Sequence, residues 1–490
     1  MTASTTSTAQ WSLVVQRVSQ TSVQIWVGTL FPTLKKPAEA KVELSVGEDQ
    51  VLQTITIGLE DWQRPFRNHA KRFYKVVTFE NLNADVSYKV NFSRNTAEQE
   101  LVANWQSLKK AQFSTLPNQL PSDTQKPFTI GLGSCFYNHR DGGRAAAAYK
   151  ALFVNGGEKY QPDVTFLTGD QVYLDIGFDS LSLISSEIRE RIADDYALHW
   201  QALGSIFTHG ATWMIPDDHE YWNDYPNYKT NIPTLQALRL KSVRTAWTRA
   251  AKDAVFNVQQ AQQLEIFNIG SDISFCLADL RSYRSEQRFI PVAGMTKLLK
   301  WVKDLQSPGV LVIPQPLIVN ENSQEKNLRS YDQQYKALLQ AMSQCLHDIV
   351  VLSGDVHFGR ISQVSLGNNG NKLVEIISSP MSNLTGLNGI ATATPEAEPR
   401  QFPPRSIDIP GFPSSDVQYD ASYMVSTQAG RWFSAYPKER TSEHFMTVGF
   451  SKQSDGKLQL SADAWRIRQR AGEKHLPAKD FAQSFSITLS

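Results

Sequence analysis

Three apolar runs in this chain break off in the same way: Thr168-Gly-Asp-Gln-Val-Tyr173, Pro216-Asp-Asp-His-Glu220 and Ser353-Gly-Asp-Val-His357. The run before each, such as Val164 to Thr168 or Ile349 to Ser353, reads as a strand buried on both faces. Side chains just past such strands stand at the rim of a sheet, where open α/β folds hold their ligands. Carboxylate, imidazole and phenol groups delivered there from several strands form the donor set of a metal-dependent hydrolase.

The flanking text says how these strands are housed. From Trp11 to about Thr115 the pattern is one of short alternating strands, among them Ser22 to Val27, Ala40 to Ser45, Phe73 to Phe79 and Val86 to Phe92. Period-two alternation with regularly spaced turn residues predicts an all-β sandwich, and Asn83 to Tyr88 resembles the loop-to-strand corner of fibronectin/Ig-like modules. The proline-rich stretch Leu116 to Pro127 marks a boundary, and we divide the chain into a β-sandwich domain, 1–120, and a catalytic domain, 121–490. Beyond it strands alternate with helices, predicted at Gly143 to Phe153, Thr234 to Ala251 and Tyr331 to Leu346. The strand-like tail from Phe445 to Leu489 is expected to supply the second sheet and its edges. The fold class is therefore α/β, a layered body preceded by the sandwich.

With 49 Lys and Arg against 48 Asp and Glu, the chain has no field for a nucleic-acid backbone, so recognition of phosphate must be local. Cys135, Cys276 and Cys345 are too few and too scattered for a disulfide framework. No charged and apolar leader opens the chain and no stretch is long enough to span a membrane, so a soluble, cytoplasmic protein is expected from the sequence as written. Its oligomeric state is open.

Each motif offers a functional and a plainer reading. Cys135 follows the strand Thr129 to Gly133; alone it would be a small buried hydrophobe. Asp170 can bridge two cations through its two oxygens. Tyr173 either packs against its loop or binds a metal acidic enough to deprotonate a phenol, which points to a trivalent ion, Fe(III). Asp217, Asp218 and Glu220 crowd three acids around His219, an arrangement that cations or hydrogen-bond donors must neutralise unless it is a solvated turn. His219 is suited to protonate a leaving alkoxide. Asp355 and His357 repeat the theme. Arg281, Arg284 and Arg360 are candidates to hold a phosphoryl group, with ion pairing as the alternative; Arg140 and Arg144 rank below them. Tyr221, Trp222 and Tyr225 either wall the cleft or pack in the core.

Five motifs in this order, Gly133-Ser-Cys135, Gly169-Asp-Gln-Val-Tyr173, Asp217-Asp-His-Glu220, Asp279-Leu-Arg-Ser-Tyr-Arg284 and Ser353-Gly-Asp-Val-His357, resemble the PhoD-like alkaline phosphatase family of the calcineurin-like metallophosphoesterase superfamily. The resemblance spans nearly the whole chain, includes the N-terminal sandwich and implies a four-layer αββα metallophosphoesterase sandwich for the catalytic domain. It implies hydrolysis of small-molecule phosphoric esters, mono- or diesters, by a metal-activated hydroxide, with Asp218, His219, Arg281 and Arg360 as the catalytic set. It also implies Fe(III) on Cys135, Asp170, Tyr173 and His357, with one or two Ca(II) on Asp170, Asp218, Asp355 and Asn223; other divalent metals are the alternative. A set rich in oxygen and poor in imidazole, in a chain of nine histidines, independently favours a hard cation beside the iron. Phospholipids or polymers as diester substrates, and a metal-bearing binding protein without activity, are the competing readings. Members of the family typically carry a twin-arginine export signal and act in the periplasm or outside the cell; none is found here.

Overall fold

The computed structural model describes residues 8–48, 50–67, 69–97, 103–229, 232–319, 326–384, 398–425, 443–468 and 477–490, the side chains at 140, 178 and 179 excepted. Seven strands come first: β1 (Ser12–Val18), β2 (Val23–Thr29), β3 (Glu39–Val46), β4 (Gln50–Gly58), β5 (Phe73–Phe79), β6 (Ser87–Asn95) and β7 (Trp105–Ser114). They pair antiparallel in two sheets, β1-β2-β5 and β4-β3-β6-β7. The smaller sheet is buried on both faces, which explains the near-continuous apolar text of β1 and β2. Leu13, Val15, Ile25 and Val27 face the core between the two sheets, whereas Val14, Trp26 and Tyr74 pack into a second cluster with helical residues from beyond position 185.

The remaining strands are β8 (Phe128–Gly133), β9 (Val164–Thr168), β10 (Ala211–Ile215), β11 (Leu264–Ile269), β12 (Ile273–Ala278), β13 (Gly309–Val312), β14 (Ile349–Ser353), β15 (Gly359–Ser365), β16 (Lys372–Ile377), β17 (Gln401–Phe402), β18 (Ser415–Asp416), β19 (Gln418–Val425), β20 (His444–Lys452), β21 (Leu458–Arg466), β22 (Ala478–Lys479) and β23 (Phe485–Leu489). One sheet runs β10-β9-β8-β20-β21-β22, with β23 also on β21; the other runs β11-β12-β13-β14-β16-β15-β19. Their faces meet: Phe275 of the second sheet lies 6.2, 6.3 and 6.0 Å from Phe128, Phe166 and Phe450 of the first.

Helices cover the outer faces. α1 (Arg144–Asn155), α2 (Ser185–Ala202) and α3 (Lys241–Asn257) share an apolar cluster with Leu167, Met214 and Phe445 of the first sheet. α4 (Val292–Lys303) and α5 (Asp332–Ser343) share one with Cys276, Leu311 and Val351 of the second. α1 owes its helicity to the run Ala145 to Ala148, since alanine has the highest helix propensity. The molecule is thus mixed α/β with several sheets. Among the described residues no helix is long and apolar enough to cross a membrane.

Two expectations change. The helical text from Thr234 to Ala251 divides into a 3-10 segment, Pro233–Arg239, and α3, because Leu240 between them is extended at φ −80° and ψ 123°. The C-terminal tail does not build the second sheet. β20 pairs antiparallel with β8 in the first, Met446 opposite Leu132, and thereby covers the edge of β8 that β9 leaves open.

Candidate metal centre

Each functional side chain stands just past a strand: Cys135 after β8, Asp170 after β9, Asp217 and Asp218 after β10, Asp355 and His357 after β14. Cys135, Asp170, Asp355 and His357 all have positive φ, between 55 and 73°. A residue with a side chain adopts that conformation at a cost of about 1–3 kcal/mol, and such residues cluster at functional sites. Here the surroundings impose it. The Cys135 and Phe136 N–H groups donate to the carbonyls of Gly169 and Asp170 at 3.2 and 2.8 Å, and the His357 N–H donates to Ser379 Oγ at 3.0 Å. The strand ends lie so close that a Cβ on Gly354 would fall 2.2 Å from Ser134 Oγ.

The side chains converge from both sheets. Cys135 Sγ lies 3.4 Å from Asp170 Oδ2, 3.4 Å from the Asp355 carbonyl and 3.1 Å from Ser379 Oγ. Tyr173 Oη is 3.5 Å from His357 Nε2. Carboxylate oxygens of Asp170, Asp217, Asp218 and Asp355 fall within 4.8 Å of one another, and a ring nitrogen of His219 lies equally close to Asp170 and Asp218. The guanidinium in direct contact is that of Arg281, whose Nε donates to Asp217 at 2.5 Å and whose Nη2 stands 3.6 Å from Asp218.

Burial raises Asp170 well above the usual carboxylate range, Asp217 to about 8 and Asp355 to about 6, and the neighbouring aspartates add to the effect. Burial also acts on Asp218, yet Arg281 and His219 hold it below its ordinary value. Against the same burial, Asp175, Asp170 and Asp218 hold His219 well above the usual imidazole range. Burial takes His357 down to about 4 and pushes the Cys135 thiol and Tyr173 phenol up. Asp217 Oδ2, Asp218 Oδ1 and Arg281 Nη2 are buried without a hydrogen-bond partner. Four crowded carboxylates, two with orphaned oxygens, suit a hard cation, which would offset their repulsion and take up the lone pairs.

Sequence reasoning missed the residues that aim this set. Asp175 accepts from His219 Nδ1 at 2.7 Å, and its other oxygen accepts the Asn223 N–H at 2.7 Å. Asn383 Oδ1 lies 2.8 Å from His357 Nδ1. Each contact fixes a ring orientation, as outer partners of metal ligands commonly do. Glu220 ties two motifs together: its carboxylate accepts from the N–H groups of Asp170, Gln171, Val172 and Asp217 at 2.9, 2.6, 3.4 and 2.8 Å. A signal for Ser379 and Asn383 was available, because the apolar strand β16 breaks off at Ser378-Ser-Pro-Met-Ser-Asn383 just as the other motif strands do.

Other expected residues lie elsewhere. Arg360 is buried in an ion pair, its Nη2 2.5 Å from Glu375 and 3.0 Å from the Ile318 carbonyl. Arg284 donates to the Leu280 carbonyl and to Gln315, which in turn donates to Asp355 at 3.0 Å. Tyr221, Trp222 and Tyr225 are core residues, with the two tyrosine rings stacked at 4.2 Å. Arg144 donates to the Asp141 carbonyl, and the Arg140 side chain lies outside the described residues.

No protein-family model and no curated protein matches the sequence. A solved structure of PhoD superimposes with a TM-score of 0.59 at 16% identity, covering 98% of this chain and 88% of that one. The chain has the PhoD fold. Bacteroides uniformis beta-glucuronidase 2 covers 98% of this chain and 61% of its own at 8% identity, but a TM-score of 0.24 carries no structural conclusion. On the PhoD fold, the acidic and histidine cluster occupies the rim formed by the ends of β8, β9, β10 and β14.

Proposed function

We propose that this chain is a metal-dependent phosphoesterase, an alkaline phosphatase or phosphodiesterase of the PhoD-like kind. The observation that carries the reading is the buried cluster of Asp170, Asp217, Asp218 and Asp355 with His219 at its side. Cys135, Asp170, Tyr173 and His357 would hold Fe(III), and Asp170, Asp218, Asp355 and Asn223 would hold Ca(II), with other divalent metals as the alternative. When bound, the cations supply Lewis-acid stabilisation of phosphoryl charge and a water acidic enough to serve as nucleophile.

His219 performs the proton transfer. Asp175 takes its Nδ1 proton in a hydrogen bond, so Nε2 is the position from which a proton passes to the departing alkoxide oxygen. Arg281 holds Asp217 and presents Nη2 as a donor to a phosphoryl oxygen. The two N-terminal sheets support an Ig-like sandwich over 1–120, and the helix-flanked pair of sheets supports a four-layer αββα catalytic domain over 121–490.

Turnover of p-nitrophenyl phosphate and bis-p-nitrophenyl phosphate, with iron and calcium supplied, tests the activity and sets the monoester-to-diester preference. The reading predicts hydrolysis that Asp170→Asn abolishes. No turnover of either ester by the metal-supplied protein would overturn it.

A further inference from the structure

Two cavities, of about 530 and 410 Å³, lie where the N-terminal sheets meet the catalytic body, and they share Lys110, Thr208 and His209 as lining. Sharing those residues, the two adjoin at the start of β10 and are together called the trough. The metal-centre residues stand beyond the other end of that strand, roughly 17 Å away at strand rise. Lys109 and Lys110 of β7 and Lys150 of α1 line it. Among the described residues none of the three has a salt bridge or hydrogen-bond partner. Among the described residues Glu43 is the one carboxylate in the lining of either cavity, and Lys41 holds it at 2.7 Å.

This excess is local, because the whole chain carries a formal charge of only +1. Lys109 is half-buried, and desolvation lowers its pKa with no carboxylate acting in the opposite sense. His209, whose Nδ1 donates to the Ser205 carbonyl at 2.7 Å, is lowered by burial and further by Lys150. An anion from outside would offset the hydration that half-buried Lys109 has lost.

We propose that this trough is a binding site for a phosphate-bearing polyanion, separate from the metal centre and independent of the reaction proposed there. Two neighbouring cavities suit a chain of charges better than a single ion. Among the described residues the cationic lining is lysine, which serves phosphate as a compact point charge. Single-stranded nucleic acid would need exposed aromatic faces for its bases. The aromatic residues of the lining, Trp11, Trp200 and Phe207, are buried.

Calorimetric titration of the full chain with long-chain inorganic polyphosphate tests the site. Binding is expected, with an affinity that falls steeply with salt. Lys109→Ala/Lys110→Ala/Lys150→Ala should weaken it at least tenfold and reduce the log–log salt slope by roughly two. The control Lys35→Ala/Lys297→Ala/Lys303→Ala should stay within about twofold of the parent. If the triple variant fails to fold, Lys150→Ala alone, exposed on α1, should lose about threefold. The inference is overturned if the parent does not bind the polymer, or if the trough variant binds it as the parent does. It is equally overturned if orthophosphate, polyglutamate or single-stranded DNA binds as tightly as polyphosphate.

Discussion

Replacing Glu220 by glutamine changes one atom and leaves shape intact, yet it should cost the protein much of its stability. Glu220 is fully buried. One carboxylate oxygen accepts from the N–H groups of Gln171 and Val172 and from Gln259 Nε2; the other accepts from Asp170 and Asp217. An amide must present its NH2 to one of these groups, and whichever way it turns, at least two donors lose their acceptor. A buried donor left unsatisfied costs about 1–3 kcal/mol, so the substitution should destabilise by roughly 2–6 kcal/mol. The same exchange at Glu158, an exposed partner of Lys126, should leave the midpoint close to the parent's. Guanidinium unfolding followed by tryptophan fluorescence reads both, as the shift in midpoint multiplied by a common slope. Coincident midpoints for Glu220→Gln and the parent would refute the claim that this carboxylate holds the two motif loops together.

Three further outcomes are expected. His219→Ala should slow alkyl phosphate esters by about 10²–10⁴-fold and nitrophenyl esters far less, because nitrophenolate departs without a proton; equal losses in steady-state rates would remove the acid role. Burial lowers His199 to about 4, so its contribution is complete above pH 6.5 and is lost as pH falls from there toward 4. Between pH 7 and 4 the parent should therefore lose roughly 3 kcal/mol more than His199→Gln in denaturation midpoints, and parallel profiles would count against it. If Tyr173 binds Fe(III), the purified protein should show a visible phenolate-to-iron band that Tyr173→Phe abolishes. A band unchanged in the variant would remove the phenol from the metal.

Much of the site was legible because its residues sit beside the strands that carry them. Cys135, Asp170 and Asp217 follow apolar runs of one sheet, whose strand ends share a rim whatever their order in the chain, and Asp355 follows a run of the facing sheet in the same way. What the sequence could not convey was which polar groups pair with which. Arg360 looked like a phosphate binder until Glu375, on the neighbouring strand β16, proved to face it. The roles of Asp175 and Asn383 depend on the turn of an imidazole ring, which no spacing encodes. The apolar text of Phe445 to Phe450 identified a strand, but nothing in that text distinguishes the edge of β8 from an edge of the second sheet. The aromatic cluster at Tyr221 to Tyr225 was open for a similar reason, since the same rings can line a cleft or fill a core, and they fill the core.

Elemental analysis of the purified chain, with ester hydrolysis measured before and after chelation, tests the metal centre most directly. The cluster of Asp170, Asp217, Asp218 and Asp355 predicts bound metal in stoichiometric amount, activity that disappears with it, and recovery when iron and calcium are restored. A metal-free protein that hydrolyses phosphoric esters as fast as the loaded one would contradict it.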